Sequence, residues 1–450
     1  MTAASTLVDT DPSPSLDDLF SDIKPALSHR QAVIESARCY YCYDAPCVKA
    51  CPSDIDIPSF IASIHHEDVN GAAETIYEQN IMGGSCARVC PTEILCEQAC
   101  VRNKEEECAP VLIGLLQRHA TDNAVFPDHP IGRASSTGKK VAVVGAGPAG
   151  LSCAHRLAVL GNEVDVFEAQ SKAGGLNEYG IAKYKLTNQF AQKEVDFILG
   201  VGGITIHYNK ALGKEIHLTD LTERYDSVFL GIGLQDTREL GLANESSIGV
   251  LNAVDFIKEL RQANDIDQLD VPRTSAVVIG AGNTAIDIAC QLKRLGTEEV
   301  TLVYRRGEAD MSATDHEQHI AKEHQVRIKT WARPVEIRAD ANNHVSAVRF
   351  AKTRIDNGKL MDTGEFFEVA CEAVYKAVGQ SLAYPADETQ LPDIGGGKIS
   401  TMDNFKTTIS KVFAGGDCTG VGQDLTVEAV QQGKLAAMAI HNYLTGSEGN

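Results

Sequence analysis

The sequence lacks any long apolar run that is free of breaks. The longest candidate, residues 141–160, contains three glycines, a proline, a histidine and an arginine, so it falls short of the roughly 18 clean apolar residues of a membrane helix. Residues 1–14 lack the basic and apolar regions of a secretory signal. We therefore expect a soluble, cytoplasmic protein without a membrane partner, and we expect residues 141–160 to form a strand, a turn and a helix.

Positive charge is also scarce. The 41 lysines and arginines face 61 aspartates and glutamates, which gives a formal net charge of -20 over 450 residues. An acidic surface repels polyanions, so we expect no nucleic-acid partner. A chain of this length is expected to hold about three domains.

Cysteine, by contrast, is abundant, because nine of the thirteen lie between Cys39 and Cys108. In a large chain without a secretory signal this pattern indicates metal rather than disulfides. Eight of the nine form two groups whose short spacings let several thiolates converge on one cluster, and a cysteine just before a proline can reach a second cluster. The groups are Cys39, Cys42, Cys47 and Cys51, and then Cys86, Cys90, Cys96 and Cys100.

Eight grouped thiols favour two [4Fe-4S] clusters. The alternatives are two four-cysteine zinc sites and uncoordinated buried thiols. A flavin module expected downstream favours iron, because it needs a metal that passes electrons on, and zinc cannot do so. Cys108 follows the acidic run 105–107 and is interpreted as incidental. The other cysteines show no CxxC spacing, which argues against a redox disulfide, and we expect small buried hydrophobes. These are Cys153, Cys290, Cys371 and Cys418.

A glycine turn follows the strand expected at 141–144. Glycines let the backbone turn sharply, and the helix N-terminus after the turn offers free N–H groups to a pyrophosphate. The next expected strand, 163–167, ends in Glu168, a carboxylate suited to a ribose. These features predict a dinucleotide site that contains Gly145, Gly147, Pro148, Ala149, Gly150 and Glu168.

A second glycine turn lies about 135 residues later, an internal repeat of the same fold unit. Here Ala285 replaces the third glycine, and the following strand, 300–304, ends in Arg305 and Arg306 instead of an acid. An arginine at that position accommodates a 2′-phosphate and favours NADPH over NADH, although the pair is also interpretable as a solvated surface element. The predicted nicotinamide site contains Gly280, Gly282, Asn283, Thr284, Arg305 and Arg306.

Three further segments assign FAD to the first site. Gly175 and Leu176 follow Glu168 closely, and a C-terminal strand, 412–416, ends in an aspartate that can hold ribityl hydroxyls. The last helix then begins near Thr426, where its N-terminus can face the isoalloxazine. The residues assigned to FAD from these C-terminal segments are Gly416, Asp417, Leu425, Thr426 and Val427.

The predicted fold is therefore α+β and multidomain. A helical iron–sulfur domain precedes two Rossmann-like α/β domains, and the nicotinamide domain is inserted into the FAD domain. The expected ranges are a mobile tail at 1–27, the iron–sulfur domain at 28–125, a linker at 126–139, FAD domain parts at 140–252 and 379–450, and the nicotinamide domain at 253–378.

Together these motifs resemble the family that includes the small subunit of glutamate synthase and the flavin half of dihydropyrimidine dehydrogenase. The segments that carry the likeness are 38–47, 51–58, 90–91, 145–150, 280–287, 304–306 and 415–417. Within the family, segments 174–182, 311–314 and 424–430 look more like the PreT-type subunit of bacterial dihydropyrimidine dehydrogenase.

The resemblance implies a particular set of cluster ligands. One cluster is bound by residues matching Cys39, Cys42, Cys47 and Cys100, and the other by residues matching Cys51, Cys90 and Cys96 with Gln117 as the fourth ligand. Cys86 is then a spare thiol. The PreT-type likeness implies NADH where the arginines suggest NADPH, so the donor is written NAD(P)H.

The expected activity is that of an electron-input subunit. NAD(P)H reduces FAD, and two [4Fe-4S] clusters convert the two-electron donor into single electrons. Direct hydride transfer needs positioning more than acid–base groups, so we name no catalytic base. The resemblance implies a partner subunit that carries FMN and reduces uracil or thymine at the 5,6 double bond, within a hetero-oligomer such as a heterotetramer. The alternatives are a glutamate synthase small subunit or related reductase, and a non-enzymatic cofactor-binding scaffold.

Overall fold

In the computed structural model, residues 15–104, 108–383, 385, 388 and 390–446 are described. The N-terminal part is helical. Ser28 forms a capping box with Gln31, which explains why a helix begins at His29. The helices of this part are α1 (Leu16–Leu19), α2 (His29–Ser36), α3 (Pro46–Lys49), α4 (Ile57–His65), α5 (Val69–Gln79), α6 (Gly83–Val89) and α7 (Ile113–Asn123).

The rest of the chain alternates strands and helices. The helices are α8 (Pro148–Val159), α9 (Leu176–Tyr179), α10 (Phe190–Leu199), α11 (Leu218–Arg224), α12 (Ala253–Gln262), α13 (Asn283–Arg294), α14 (Asp315–Glu323) and α15 (Thr426–Thr445). The strands are β1 (Lys140–Val144), β2 (Glu163–Phe167), β3 (Ile204–His207), β4 (Ser227–Leu230), β5 (Asp236–Thr237), β6 (Val250–Asn252), β7 (Ser275–Gly280), β8 (Glu299–Val303), β9 (Arg327–Lys329), β10 (Ala332–Ala339), β11 (Val345–Asp356), β12 (Lys359–Ala370), β13 (Ala373–Ala377), β14 (Gln380–Ser381), β15 (Ile394–Gly395), β16 (Lys398–Ile399) and β17 (Val412–Ala414).

Two parallel sheets organise these elements. The first has the order β17-β4-β1-β2-β3, and the second has the order β6-β13-β7-β8-β9. The strand β17 pairs with β4, although all strands of the second sheet lie between these two in the sequence. The first α/β domain is therefore split in sequence. The predicted fold class, a helical domain followed by two Rossmann-like domains with one inserted in the other, is confirmed.

A three-stranded antiparallel sheet, β10-β11-β12, extends the second α/β domain. The short pair β5-β14 connects the two α/β domains where the chain enters and leaves the insertion. The strand β6 pairs with β13 and so belongs to the second sheet. The boundary predicted after residue 252 is therefore too late, because a three-residue strand paired with a distant partner leaves little local signal.

The prediction of a mobile tail at 1–27 is wrong for the described part. Leu16 and Phe20 are buried in the same hydrophobic cluster as Phe256 and Leu292 of the second α/β domain. A capping box between Ser15 and the third helical residue begins α1. Two well-placed apolar side chains thus anchor a polar segment, while residues 1–14 lie outside the described residues.

The helical domain packs tightly against the first α/β domain. One hydrophobic cluster contains Ile76 and Leu116 of the helical domain together with Leu151 and Ile440 of the first α/β domain. The buried Glu194 carboxylate accepts hydrogen bonds from the Ser85 backbone N–H and hydroxyl across this contact.

Within the described ranges, no helix is both long enough and apolar enough to cross a bilayer.

Candidate functional site

The grouped cysteines line two separate cavities. The first, called the outer cavity, is bounded by the Pro46–Lys49 helix, the start of α4 and the segment around residue 100. Its four thiols are all half-buried, and the exposed Tyr40 lies at its edge. The cysteines of the outer cavity are Cys39, Cys42, Cys47 and Cys100.

The second, called the inner cavity, draws its donors from both cysteine groups. Cys51 turns away from Cys47, its neighbour in the first group, and joins the later cysteines. Ile57, at the start of α4 and 2% exposed, lines both cavities and so lies between them. The candidate ligands of the inner cavity are Cys51, Cys86, Cys90, Cys96 and Gln117.

The two sets differ in burial. Three of the four inner cysteines, Cys51, Cys86 and Cys96, are buried and Cys90 is half-buried, whereas the outer set is half-buried throughout. Burial raises the pKa of Cys47 to about 11 and also raises the pKa of Cys51 and Cys96. A buried thiolate is costly without a compensating cation, so both cavities suit a positively charged iron core that several thiolates share.

Gln117 is a buried residue that lines the inner cavity. Its Nε2 donates a 2.7 Å hydrogen bond to the Gly83 carbonyl, so the amide oxygen is the atom left to face a ligand. Cys86 is the competing ligand, because its thiol also lines the inner cavity, where it is hydrogen-bonded to the Cys90 thiol. That bond, together with burial, raises the pKa of Cys90. The inner cavity thus holds five possible ligands for four iron positions, and the set implied by the resemblance stays a prediction.

The remaining cysteines lie away from both cavities. Cys108 is exposed. The other four are buried thiols in hydrophobic surroundings, as expected of small apolar residues. They are Cys153, Cys290, Cys371 and Cys418.

The first glycine turn joins β1 to α8. Gly145 has φ +97°, and a Cβ there would lie 2.4 Å from the Gly231 carbonyl oxygen. At Gly150 a Cβ would lie 1.9 Å from the Gly145 carbonyl oxygen, so only glycine allows this close approach. Gly147 is the N-cap of α8 and Pro148 is its first residue. The turn therefore exposes unpaired N–H groups at a helix N-terminus, as a pyrophosphate requires.

Glu168 ends β2 beside this turn and is buried. Its carboxylate accepts 2.8 Å hydrogen bonds from the N–H groups of Ala146 and Gln170, which fix its orientation. Burial raises the pKa of Glu168. A carboxylate has about four acceptor positions, so one or more are left for the ribose hydroxyls that the sequence pattern implies.

The Gly-Gly loop covers the same turn. A Cβ on Gly175 would lie 2.7 Å from the Gly147 Cα, and the Gly174 N–H donates a 2.8 Å hydrogen bond to the Ala146 carbonyl. Leu176 begins α9 at this point. The next residue, Asn177, is fully buried with its Nδ2 unpartnered. A buried amide donor of this kind suits a bound polar group, and no motif in the sequence identified it.

The C-terminal segment converges on the first turn as well. A Cβ on Gly416 would lie 2.8 Å from the Ala149 Cβ, and the Thr426 hydroxyl donates to Asn177 Oδ1 at 3.2 Å. Burial, followed by the charge of Asp424, raises the pKa of Asp417 to about 6. The structure therefore places Gly416 and Thr426 beside the first glycine turn and the Gly-Gly loop. We call this set, Gly145, Gly147, Gly150, Glu168, Gly175, Asn177, Gly416 and Thr426, the cradle, and its helix N-terminus suits a dinucleotide pyrophosphate.

Val427 connects this cradle to the inner cavity. It is the second residue of α15, is buried, and lines the inner cavity beside the Cys51 segment. Thr426, its neighbour, lies in the cradle. The outer cavity has no α15 residue among its described lining residues. The inner cavity is therefore the one that touches the helix shared with the candidate flavin site.

The second glycine turn opens on a cleft of about 650 Å³, within the range of small-ligand pockets. Gly280 has φ +150°, and a Cβ there would lie 2.1 Å from the Ala377 carbonyl oxygen. Gly282 and Thr284 line the cleft, while Asn283 begins α13 with a buried Oδ1 that lacks a partner. Turn, helix start and cleft volume all fit a nicotinamide dinucleotide.

The paired arginines after β8 separate. Both side chains are exposed, but Arg305 lines the cleft and Arg306 is not among its described lining residues. Arg333, from the antiparallel sheet, is a lining residue that sequence reasoning missed, because it lies outside the Rossmann unit. The backbone N–H of Ala332 bonds to the Tyr304 carbonyl at 2.9 Å, which holds this sheet against the end of β8. Arg305 and Arg333 therefore share one end of the cleft.

Two family models match the chain. Residues 16–127 match the model described as dihydropyrimidine dehydrogenase domain II, 4Fe-4S cluster. Residues 139–433 match the pyridine nucleotide-disulphide oxidoreductase model. The candidate cluster ligands of both cavities lie within the first range, and both glycine turns lie within the second.

Curated relatives cover nearly the whole chain. The NAD-dependent dihydropyrimidine dehydrogenase subunit PreT of Escherichia coli K12 is 36% identical over 427 residues, covering 95% of this chain and 97% of the relative. The glutamate synthase [NADPH] small chain of the same organism is 33% identical, covering 94% of each.

Solved structures show the same fold for the α/β part. FprA of Mycobacterium tuberculosis in complex with NADPH has a TM-score of 0.57 at 20% identity, covering 69% of this chain and 86% of that one. Thioredoxin reductase of Lactococcus lactis has a TM-score of 0.54 at 23% identity, covering 68% and 99%.

Proposed function

The chain belongs to the family of flavin and iron–sulfur oxidoreductase subunits that contains the PreT-type subunits and the glutamate synthase small chains, and we propose that it is the electron-input subunit of a dihydropyrimidine dehydrogenase. The chain is an NAD(P)H-dependent oxidoreductase that binds FAD and [4Fe-4S] iron–sulfur centres. The finer assignments below are proposals about its own residues.

The observation that carries the proposal is the order of the three sites. The cradle built on Gly145 and Thr426 is linked through Val427 to the inner cavity, and Ile57 separates the inner from the outer cavity. The outer set is half-buried and has the exposed Tyr40 at its edge. The cradle therefore lies at one end of a series whose other end reaches the surface.

We assign a [4Fe-4S] cluster to each cavity. The proposed outer ligands are Cys39, Cys42, Cys47 and Cys100, and the proposed inner ligands are Cys51, Cys90, Cys96 and Gln117. When bound, FAD accepts a hydride from NAD(P)H and the clusters carry its electrons singly. The chain itself positions these groups, excludes water from the inner cavity by burial, and holds the dinucleotides on two helix N-termini.

A surface-facing outer set implies a separate acceptor. Two of the relatives are themselves described as a subunit and a small chain. We propose a partner subunit that carries FMN and reduces uracil or thymine, in a cytoplasmic hetero-oligomer. The 36% identity to the PreT-type subunit, against 33% to the glutamate synthase small chain, supports this choice.

The first test is composition and turnover of the anaerobically purified chain. We expect about eight irons, about eight sulfides and about one FAD per chain, and reduction of an artificial acceptor dye by NAD(P)H. Zinc in place of iron would remove the basis of the proposal. Full cofactor content without dye reduction by either NADH or NADPH would instead favour the scaffold alternative.

The second test identifies the acceptor. With a co-purifying partner present, we expect NAD(P)H-dependent consumption of uracil or thymine, and the reverse reaction with a dihydropyrimidine and NAD(P)+. A large amidotransferase partner, with glutamate formed from glutamine and 2-oxoglutarate, would assign the chain to the glutamate synthase branch.

A further inference from the structure

A lysine is buried where the last helix meets the helical domain. Lys434 lies on α15, eight residues after Thr426, and is 7% exposed. Lysines are rarely buried without a partner that compensates their charge. The position of this side chain therefore requires an explanation beyond packing.

The surroundings of the Lys434 nitrogen fit an ammonium ion. Nζ donates to the Ser53 carbonyl at 3.3 Å, to the Gln79 carbonyl at 2.9 Å and to Gln79 Oε1 at 3.0 Å. An ammonium has three N–H donors and no acceptor. All three partners are oxygen acceptors, so a neutral amine would turn its lone pair toward one of them. The pocket therefore selects the charged form.

The charged groups nearby are few. Burial, followed by the charge of Arg156, lowers the pKa of Lys434 to about 8, whereas Asp54 and the Cys51 thiolate favour the charged form. Arg156 is itself bound to the Glu78 carbonyl at 2.7 Å. The ammonium thus remains the main form at neutral pH, and the Asp54 carboxylate that acts on it is exposed.

The same contacts place the charge beside the inner cavity. Ser53 lies two residues after Cys51, and Gln79 directly precedes Asn80, another residue that lines the inner cavity. Gln431, one turn before Lys434 on α15, lies 3.5 Å from Asp54. Lys434 therefore contacts two segments that form the inner cavity and neither of those that bring Cys39 and Cys100 to the outer one.

We propose that Lys434 sets the reduction potential of the iron–sulfur centre in the inner cavity through its positive charge. This inference rests on the proposed function. One-electron reduction adds one negative charge at the inner set, with no bond formed or broken, and the electron comes from NAD(P)H through the flavin. A buried cation stabilises that added charge, since cluster potentials respond to net charge, hydrogen bonds and solvent exposure. Lys434 is thus a positioning residue for electron entry.

The test is an EPR-monitored redox titration of the full-length holoprotein carrying Lys434→Met. At a fixed potential the reduced-to-oxidised ratio of the inner centre should fall about tenfold, equivalent to about 59 mV for a one-electron couple. The outer centre and the FAD should keep their potentials. Lys434→Arg keeps the charge and should restore the inner potential, and Lys434→Gln should behave as the methionine variant does.

A matched control removes a charge outside α15 that lies against the far end of this helix. Lys406 lies 4.9 Å from the Tyr443 ring, and Lys406→Met should shift neither centre. Full iron and FAD with an unchanged inner potential in both Lys434→Met and Lys434→Gln would overturn the inference, as would equal shifts in Lys434→Met and Lys434→Arg. Absence of iron from the wild-type chain would instead refute the proposed function.

Discussion

The inner and outer cavities hold the same kind of thiols in different settings. In the inner set Cys51, Cys86 and Cys96 are buried and Cys90 is half-buried, and the cavity contacts α15 through Val427 and lies beside the Lys434 ammonium. The outer set is half-buried, and the exposed Tyr40 lies at the edge of its cavity. On the proposed function, one small helical domain would provide both an entry next to the flavin domain and an exit toward a partner.

Removing one ligand from each cavity should give the largest effect and tests the order directly. Cys96→Ser should lower NAD(P)H-driven reduction of the outer centre about 100-fold or more while flavin reduction persists, because the entry is lost. Cys42→Ser should leave the inner centre reducible by NAD(P)H. Freeze-quench EPR measures both. If the outer centre is still reduced at the wild-type rate in Cys96→Ser, the proposed order is wrong.

The choice between Gln117 and Cys86 sharpens the inner set. Gln117→Ala should abolish or broaden the EPR signal of the inner centre and leave the outer signal intact, because only the inner cavity contains this side chain. Cys86→Ala is the matched variant and should keep about eight irons. Loss of about four irons in Cys86→Ala, with none lost in Gln117→Ala, would exchange the roles of the two residues.

The buried contact between Glu194 and Ser85 lies at α6, the helix that carries Cys86 of the inner cavity. We therefore expect the stability around the inner set to depend more on pH than that around the outer set. Burial raises the pKa of Glu194 to about 7 from an ordinary value of 4.5. A raised carboxyl pKa means that the folded state holds the proton more tightly, so this stabilisation is present at acid pH and is lost as the pH rises through about 7. The change amounts to about 3 kcal/mol over the window.

Glu194→Gln should flatten that part of the pH dependence of thermal unfolding, measured by scanning calorimetry between about pH 5 and pH 7. The exposed Asp196 lies on the same helix, and Asp196→Asn should leave the wild-type slope unchanged. A slope that survives in Glu194→Gln would mean that other groups cause it.

The proposed NAD(P)H cleft precedes both cavities in the electron path. A change in donor binding should therefore affect the reduction of both centres equally. Arg305→Ala should raise KM for NADPH about tenfold with a smaller effect on NADH, because it removes a cation suited to a 2′-phosphate. Arg306→Ala, outside the cleft, is the control and should change neither. Steady-state dye reduction measures this, and an equal loss with both donors would reject the 2′-phosphate role.

Local patterns predicted much of this architecture. The turns at Gly145 and Gly280 and the strand ending at Glu168 are encoded by adjacent residues, so the fold class and both α/β domains were accessible from the sequence. The comparisons confirm the family and the cofactor types. The individual ligand and binding residues stay predictions, although the structure gathers most of them into four sites.

What the sequence concealed depends on distant contacts. Burial of Leu16 follows from a surface on the second α/β domain, and β6 exists through its pairing with β13. Arg333 reaches the cleft from a separate sheet. Lys434 has no sequence feature that distinguishes it from other helical lysines, and its burial depends on contacts with Gln79 and Ser53. No local motif marks such residues.

The central claim is that Cys51 leaves its own sequence group and serves the inner cavity, and Cys51→Ser measured against Cys47→Ser tests it most directly. EPR of the dithionite-reduced holoproteins should show that Cys51→Ser loses the same signal as Cys96→Ser and retains the other. Cys47→Ser should lose the signal that Cys42→Ser loses. Loss of one and the same signal in Cys51→Ser and Cys47→Ser would contradict the division into an inner and an outer cavity.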